Sequence, residues 1–414
     1  MNLGSFTRSG ESIGFINALF TSASASCVTG LTVVNTASYW NLTGQIIILC
    51  LIQIGGIGIM SLATIFPLIL GKKIDLKNRQ LLREQFSVSS YSGIVRLLKY
   101  ILLFSFSVES IGALILATRF VPRYGIFKGL WYSIFQSVSA FCNAGFDNLG
   151  DSIYPFRYDP IVNVVIMALI VIGGLGFLVS QEILRKKSFK KLSVHSKLVL
   201  LISAVLILLG ALGFFVLEYS NKNTIATESI ATKIGQSFFQ SVNTRTSGFY
   251  SAQFAGLRDA TSFLLILLMF IGGSPGSTAG GLKTTTLGVL VLSSFSAIKG
   301  ENETVVFNRS IHQQTIRKAL ALVMVSLLLI ISVSFILTIV EEMPFIDFLF
   351  ETVSAYATVG LSKGITSYLS TMSKVFLTIT MYLGRVGPLT LGYAISNRHR
   401  QSRLRYPDVD IAIG

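Results

Sequence analysis

The sequence predicts an all-α membrane protein built from tandem repeats, and three observations support this prediction. Hydrophobic residues make up 51% of the 414 residues and charged residues only 13%, about half the charged fraction of a typical soluble domain. The apolar residues fall in long runs, and one short motif recurs four times along the chain. Composition, hydropathy and repetition therefore all indicate a chain that folds within lipid.

Seven apolar segments are long enough to cross a membrane. Each has about 20 residues or more, which matches a hydrocarbon core of roughly 30 Å. Helices are expected because lipid offers no hydrogen-bond partner to an open backbone. The segments are 43–70, 96–118, 160–184, 197–218, 261–298, 317–340 and 373–396.

The polar segments between the spans alternate between basic and neutral. Four are basic (71–99, 185–197, 299–318 and the residues after 396), and with the adjoining Glu182 they hold 21 basic and seven acidic residues. The other four hold 11 of each. The positive-inside rule therefore predicts a multi-pass cell-membrane protein whose basic loops and C-terminus are cytoplasmic. This topology explains the net charge of +15, so nucleic acid is not expected as a partner.

The neutral segments carry the repeated motif, which runs from a phenylalanine through small or polar residues to a glycine and a large apolar residue. The glycines are 115, 103 and 112 residues apart, and the third copy is one residue shorter than the others. Each copy follows a short apolar stretch and precedes a polar turn and a spanning helix. The copies are residues 20–31, 135–146, 239–249 and 350–361.

A short helix followed by an extended loop leaves backbone carbonyls unpaired, which a membrane tolerates where the loop lines a polar cavity or pore. Four such loops around one axis can replace the hydration shell of a monovalent cation, and glycine permits the positive φ that turns carbonyls inward. External turns also favour Gly and Ser, but four aligned copies favour a pore. The predicted fold is four tandem helix–pore loop–helix units around one central pore, with the first outer helix missing. The predicted cation-binding residues are Val28, Thr29, Gly30, Asn143, Ala144, Gly145, Thr246, Ser247, Gly248, Thr358, Val359 and Gly360.

The fifth apolar segment is interrupted at 272–286, where five glycines and a proline rule out a straight helix. A nucleotide-binding loop would need Gly-x4-Gly-Lys-Ser/Thr. Leu282 stands where that lysine is required, and Lys283 comes one residue late. A flexible intramembrane loop is the better interpretation.

Several of these runs resemble the Trk/Ktr/HKT potassium transporter superfamily, across nearly the whole chain. Residues 27–31, 143–146, 244–249 and 357–361 resemble its filter loops, and 53–58 and 384–390 resemble further signatures. The short chain is most similar to Ktr-type membrane subunits. Four filter glycines imply a preference for K⁺, with Na⁺ as a second candidate ion. The family has eight spanning helices, so we expect the missing helix upstream of Met1, at a truncated or misassigned start.

The resemblance also implies a gate in the interrupted segment. Lys283 and Arg385 are the basic residues deep within spanning segments, where charges are costly. Arg385 is expected to contact the loop's carbonyls or serines, although pairing with Glu109 stays an alternative. Arg245 is expected to brace its filter loop from behind, with Glu351 as a candidate partner. The predicted gate residues are Gly272, Gly273, Ser274, Gly276, Ser277, Thr278, Gly280, Gly281, Lys283 and Arg385.

The implied partners are a second copy of the chain, the lipid bilayer, and a cytosolic nucleotide-binding regulatory subunit of the KtrA type. Residues 406–414 are a candidate dimer contact. The expected organisation is repeat 1 at 1–70 (pore loop and inner helix only), repeat 2 at 96–184, repeat 3 at 197–298, repeat 4 at 317–396 and a cytosolic tail at 397–414.

Two other functional classes are less consistent with the sequence. A secondary transporter working by alternating access would be expected to show inverted repeats, whereas the four loops lie on the same predicted side of the membrane. An enzyme would need a catalytic motif, and HExxH does not occur. Three cysteines and three histidines show no metal-ligand spacing.

Overall fold

The computed structural model describes residues 1–58, 94–252 and 254–387. In these ranges almost all regular structure is helical, and the one sheet is a hairpin of Val305–Val306 and Arg309–Ser310. The prediction of an all-α fold is confirmed. The basic segment at 71–93 and the tail at 397–414, with its candidate dimer contact, lie outside the described residues.

Each unit contains an outer helix, a short pore helix and an inner helix, except that the described part of the first unit begins before its pore helix. The outer helices are Ile94–Tyr124, Val194–Glu218 and Gln313–Val340. The pore helices are Phe15–Ser26, Ile126–Phe141, Ile230–Asn243 and Phe345–Tyr356. The inner helices are Leu42–Ile57, Pro160–Leu175, Asp259–Phe270 and Thr371–Val386. The remaining α-helices are Thr36–Tyr39, Phe177–Lys186 and Thr284–Ile298, and short 3-10 turns are Gly4–Phe6, Tyr154–Phe156, Phe189–Lys191 and Phe254–Gly256.

Polar side chains begin three of the four inner helices. Asn41, Asp159 and Ser370 each accept backbone N–H groups from the first turn of the helix that follows. Such caps satisfy donors that have no intrahelical partner. The inner helices are therefore started locally by their own sequence.

The four units close into a ring around one axis. Each inner helix packs against the pore helix of the next unit, and the fourth inner helix packs against the first pore helix. The phenylalanines that open the four motif copies (Phe20, Phe135, Phe239 and Phe350) are fully buried in this ring. The motif thus anchors each pore helix in the apolar core, and its polar loop lies beyond the anchor.

One of the seven predicted spans is bent, and the interruption of another has different bounds from the predicted 272–286. The segment 160–184 bends by 100° between Pro160–Leu175 and Phe177–Lys186, because Gly176 adopts φ +94°. The segment 261–298 breaks after Phe270, and its helix resumes at Thr284, so residues 284–286 belong to the helix and not to the loop. Among the described residues, only the three outer helices have the length and composition of an unbroken crossing; the bent pair makes a fourth if counted as one.

Candidate functional site: four glycine loops and the loop beneath them

The loops after the four pore helices meet at the axis, and their glycines form a closed ring. In each unit, a Cβ placed on the glycine would lie within 2.7 Å of the carbonyl oxygen that precedes the next unit's glycine. The pairs are Gly30 with Ala144 (2.5 Å), Gly145 with Ser247 (2.7 Å), Gly248 with Val359 (2.7 Å) and Gly360 with Thr29 (2.2 Å). Such contacts are too short for any side chain, so the ring can close only with glycine at these positions.

The residue two positions before each glycine has a left-handed backbone. These residues are Val28 (φ +58°), Asn143 (+59°), Thr246 (+67°) and Thr358 (+52°). Three of the four are β-branched, and a β-branched residue in this region is a genuine outlier. Strain of this kind persists where the surrounding structure imposes it, often at functional sites.

The twelve residues that the sequence singled out have backbone carbonyls that are free of hydrogen bonds within the described part of the chain. None of these carbonyls accepts a hydrogen bond from a residue in the described ranges, and all twelve residues except Gly145 and Gly360 are buried. Buried backbone carbonyls are nearly always paired. A ring of unpaired carbonyl dipoles is instead suited to a dehydrated cation.

Each loop is tied to its own pore helix by the fourth residue after the phenylalanine, a role that the sequence analysis missed. In three units this residue is serine and its carbonyl accepts the N–H of the residue before the glycine, at 2.7–2.8 Å. The side chains add further bonds. The N–H groups of Gly30 and Gly360 donate to the hydroxyls of Ser24 and Ser354 (both 3.1 Å), the Ser139 hydroxyl donates to the Phe146 carbonyl (2.6 Å), and the Ser247 hydroxyl donates to Asn243 Oδ1. The recurrence of Ser, Ser, Asn and Ser at this place was the available signal.

Glu351, the residue after the fourth motif phenylalanine, ties down the chain beyond its loop. Its buried carboxylate accepts the hydroxyls of Ser362 and Thr366. It is therefore not the partner of Arg245. That arginine is 5% exposed, and its Nη1 has no hydrogen-bond partner among the described residues.

The inner helices approach the pore helices through glycines whose role the sequence analysis also missed. A Cβ on Gly55, Gly173 or Gly384 would lie within 2.1 Å of a carbonyl oxygen at the end of the same unit's pore helix. The backbones touch at these points. This contact explains the glycines at 55 and 384 within two of the signature runs.

The interrupted fifth segment lies beneath the glycine ring. A Cβ on Gly280 would meet the Thr358 hydroxyl at 2.2 Å, and one on Gly281 would meet Ala357 at 3.1 Å. The structure thus brings this loop directly against the fourth predicted filter loop.

The loop is held in place by the second unit. The N–H groups of Ser274 and Thr278 donate to the carbonyls of Gly174 (3.0 Å) and Gly173 (3.3 Å), and the Thr278 hydroxyl donates to the Phe141 carbonyl (3.1 Å). Within the loop, the Gly272 N–H donates to the Leu282 carbonyl at 2.8 Å and the Ser274 hydroxyl lies 3.0 Å from that of Thr284. The Ser277 hydroxyl donates to the Ser274 carbonyl at 2.6 Å, and the Gly276 carbonyl accepts the Phe177 N–H at 2.9 Å.

Arg385 joins the loop to the first unit. It donates through Nη1 to the carbonyl of Thr278 and through Nη2 to that of Gly55. Gly55 lies in the last turn of the first inner helix, where carbonyls lack intrahelical partners. The Glu109 carboxylate accepts two bonds from Gln53 Nε2 (3.0 and 3.1 Å) and one from Cys142 Sγ (3.8 Å). The alternative pairing of Arg385 with Glu109 is not formed.

Lys283 is itself a loop residue and binds carbonyls of the same loop. Its Nζ donates to the carbonyls of Ala279 (2.8 Å) and Gly280 (3.4 Å). The two predicted basic residues therefore both bind loop carbonyls. Gly273 approaches Ala279 so closely that a Cβ there would lie 2.3 Å from the alanine methyl.

A cavity of about 600 Å³ opens on the other side of the ring. The four glycines form its floor, and the segments that follow them form its walls. The loop and the cavity lie on opposite sides of the ring, as expected for a path that crosses the membrane through the glycines.

The fold and this site are those of a membrane cation transport protein. The model of the TrkH family, described as cation transport protein, matches residues 2–404, and the chain belongs to this family. It is similar to Ktr system potassium uptake protein B of Bacillus subtilis, with 44% identity over 97% of this chain and 90% of that protein. It is also similar to the potassium/sodium uptake protein NtpJ of Enterococcus hirae, with 41% identity over the whole chain and 93% of that protein.

A solved structure shows the same fold. The potassium transporter TrkH of Vibrio parahaemolyticus superposes with a TM-score of 0.74, over 93% of this chain and 79% of that one, at 20% sequence identity. The predicted family resemblance is confirmed by these comparisons.

Proposed function

We propose that this chain is the membrane subunit of a potassium uptake system and that K⁺ passes through the glycine ring. The observation that carries the proposal is the ring itself, in which four units contribute twelve carbonyls that accept no hydrogen bond from the described residues. Potassium is favoured because relatives at 44% and 41% identity are named for potassium uptake. The name of the second relative also includes sodium, which makes Na⁺ a second candidate ion.

The filter assignment is tested by Gly248→Ser and Gly360→Ser in a bacterial strain that lacks its own potassium uptake. Both substitutions place a Cβ against a backbone carbonyl, so uptake and preference for K⁺ over Na⁺ should fall. Gly235→Ser is the matched control, because a Cβ there meets nothing within 4 Å. Normal selectivity of the two filter variants at matched membrane expression would refute the assignment.

The loop beneath the ring is proposed as a gate, with Arg385 as its latch. The arginine holds two carbonyls on different units, and its positive charge opposes a passing cation. Deleting residues 272–281 should raise the basal flux. Arg385→Lys keeps the charge but cannot hold both carbonyls in the same way. Raised flux in that variant supports a latch, whereas unchanged flux would leave only the charge as a barrier.

The basic segments and the C-terminus are proposed to face the cytoplasm, and the cavity above the ring to face outside. The charge asymmetry supports this orientation. A cytosolic nucleotide-binding subunit of the KtrA type and a second copy of this chain are the proposed partners, in keeping with the Ktr system named for the B. subtilis relative. Affinity purification from the native membrane under mild detergent tests both partners.

A further inference from the structure

The segments that leave the four loops differ in charge, and this difference bears on how ions reach the ring. The residue two positions after each glycine is Thr32, Asp147, Tyr250 or Ser362. Only the second unit has a charged residue there. Asp147 is at most about 7 Å along the chain from Gly145 and lines the cavity above the ring.

The cavity has one other charged residue in its described lining, Lys363. Its Nζ lies 2.5 Å from Oδ1 of Asp347, and both side chains are largely buried. The positive charge of Lys363 is therefore neutralised by Asp347 where this lysine lines the cavity. The net charge of the described lining is carried by Asp147.

Asp147 also has a local structural role. Its Oδ1 accepts the N–H groups of Leu149 (2.8 Å) and Gly150 (2.7 Å), which shapes the turn. An asparagine retains an Oδ1 acceptor of the same geometry. The charge of this residue can thus be removed while its turn is kept.

We propose that the cavity is a cation-collecting vestibule, in which the Asp147 carboxylate concentrates monovalent cations above the glycine ring and the Asp347–Lys363 pair suppresses a competing positive charge. A concave site with charge of one sign raises the local concentration of counter-ions. The inference rests on the proposed passage of K⁺ through the ring. It adds a second cation site, outside the ring, to that function.

The test measures Rb⁺ uptake against concentration in a potassium-uptake-deficient strain that expresses the full-length protein. External ionic strength is set with choline chloride, and sucrose keeps the osmolarity constant. At about 0.01 M the Debye length is about 30 Å, and it falls below about 8 Å above 0.15 M. Asp147→Asn should raise the half-saturating Rb⁺ concentration about two- to five-fold at low ionic strength. The shift should disappear at high ionic strength, with the maximal rate unchanged.

Two further variants make the result independent of the turn at Asp147. Asp347→Asn exposes the charge of Lys363 and should give the same salt-dependent shift. The double variant Asp347→Asn with Lys363→Gln should return to the wild-type half-saturation. Asp259→Asn is the control, because this exposed carboxylate lies in the first turn of the third inner helix and is not among the residues that line the cavity.

The proposal is overturned if Asp147→Asn leaves half-saturation unchanged at low ionic strength, or if the shift persists at high ionic strength. A fall in maximal rate alone would indicate a structural role and would also overturn it. In either case the glycine substitutions still report on the ring, so failure of the vestibule is distinguishable from failure of the filter.

Discussion

Alanine at position 360 should strongly lower discrimination between K⁺ and Na⁺, whereas alanine at position 288 should leave it intact. The added Cβ would lie 2.2 Å from its nearest heavy atom in both cases. For Gly360 that atom is the backbone carbonyl oxygen of Thr29, and for Gly288 it is the Cδ1 tip of Ile202. The two substitutions therefore have equal nominal overlap but meet different kinds of obstacle.

The expected loss of selectivity depends on which atoms can move to make room for the added Cβ. An ordinary carbon–oxygen contact is about 3.3–3.6 Å, so Gly360→Ala requires the Thr29 carbonyl to move by about 1 Å. The φ at this position is +86°, and a residue with a Cβ adopts such a backbone conformation at a further cost of about 1–2 kcal/mol. A loss of about 1.4 kcal/mol in ion discrimination already lowers selectivity ten-fold. We therefore expect at least a ten-fold loss.

Gly288→Ala should be nearly neutral. Alanine is favoured over glycine inside a helix by about 1 kcal/mol, and position 288 lies within Thr284–Ile298. Displacing the tip of Ile202 into a less favourable rotamer costs about 0.5–1.5 kcal/mol. The two terms offset one another.

The assay compares Rb⁺ and Na⁺ uptake by the two variants at equal membrane expression, together with the melting temperature of the purified protein in detergent. Gly248→Ala, whose Cβ would lie 2.7 Å from the nearest carbonyl, should fall between them. Equal selectivity in Gly360→Ala and Gly288→Ala would refute the inference that the ring selects ions by backbone position.

Three other substitutions test the supports of the site. Ser354→Ala removes the acceptor of the Gly360 N–H; it should cost about 1–3 kcal/mol and weaken K⁺ selectivity more than expression, as ion-competition assays would show. Gln53→Leu removes both hydrogen bonds from Gln53 Nε2 to the buried Glu109 carboxylate and should lower the melting temperature in detergent. Glu109→Gln in the same background should partly reverse this effect. Glu182→Gln weakens the hydrogen bonds that the Ser193 N–H and hydroxyl donate to this carboxylate. The substitution should lower stability by about 1–2 kcal/mol without changing selectivity. A change in selectivity would contradict a purely structural role.

The repeated sequence pattern was sufficient to predict the architecture because the same unit recurs four times. Apolar length placed the outer helices, and the buried phenylalanines Phe20, Phe135, Phe239 and Phe350 mark the pore helices. The sequence predicted the interruption of 261–298 but not its bounds, and it did not predict the bend at Gly176. Both the bend and the end of the third inner helix at Phe270 depend on contacts with the loop at 271–283. A hydropathy profile averages over a window of residues, so it does not detect a bend in the helix at a single glycine.

What the sequence by itself determined was the membrane fold, the fourfold repeat and the four glycines that meet at the axis. These are properties of residue type and spacing, and each is repeated or extends over many residues. Only the tertiary structure decided the pairings: Arg385 with Thr278 and Gly55 instead of Glu109, and Lys363 with Asp347 beside the vestibule. These contacts join residues 16 to 330 positions apart. No local pattern encodes them, because each depends on how the ring closes.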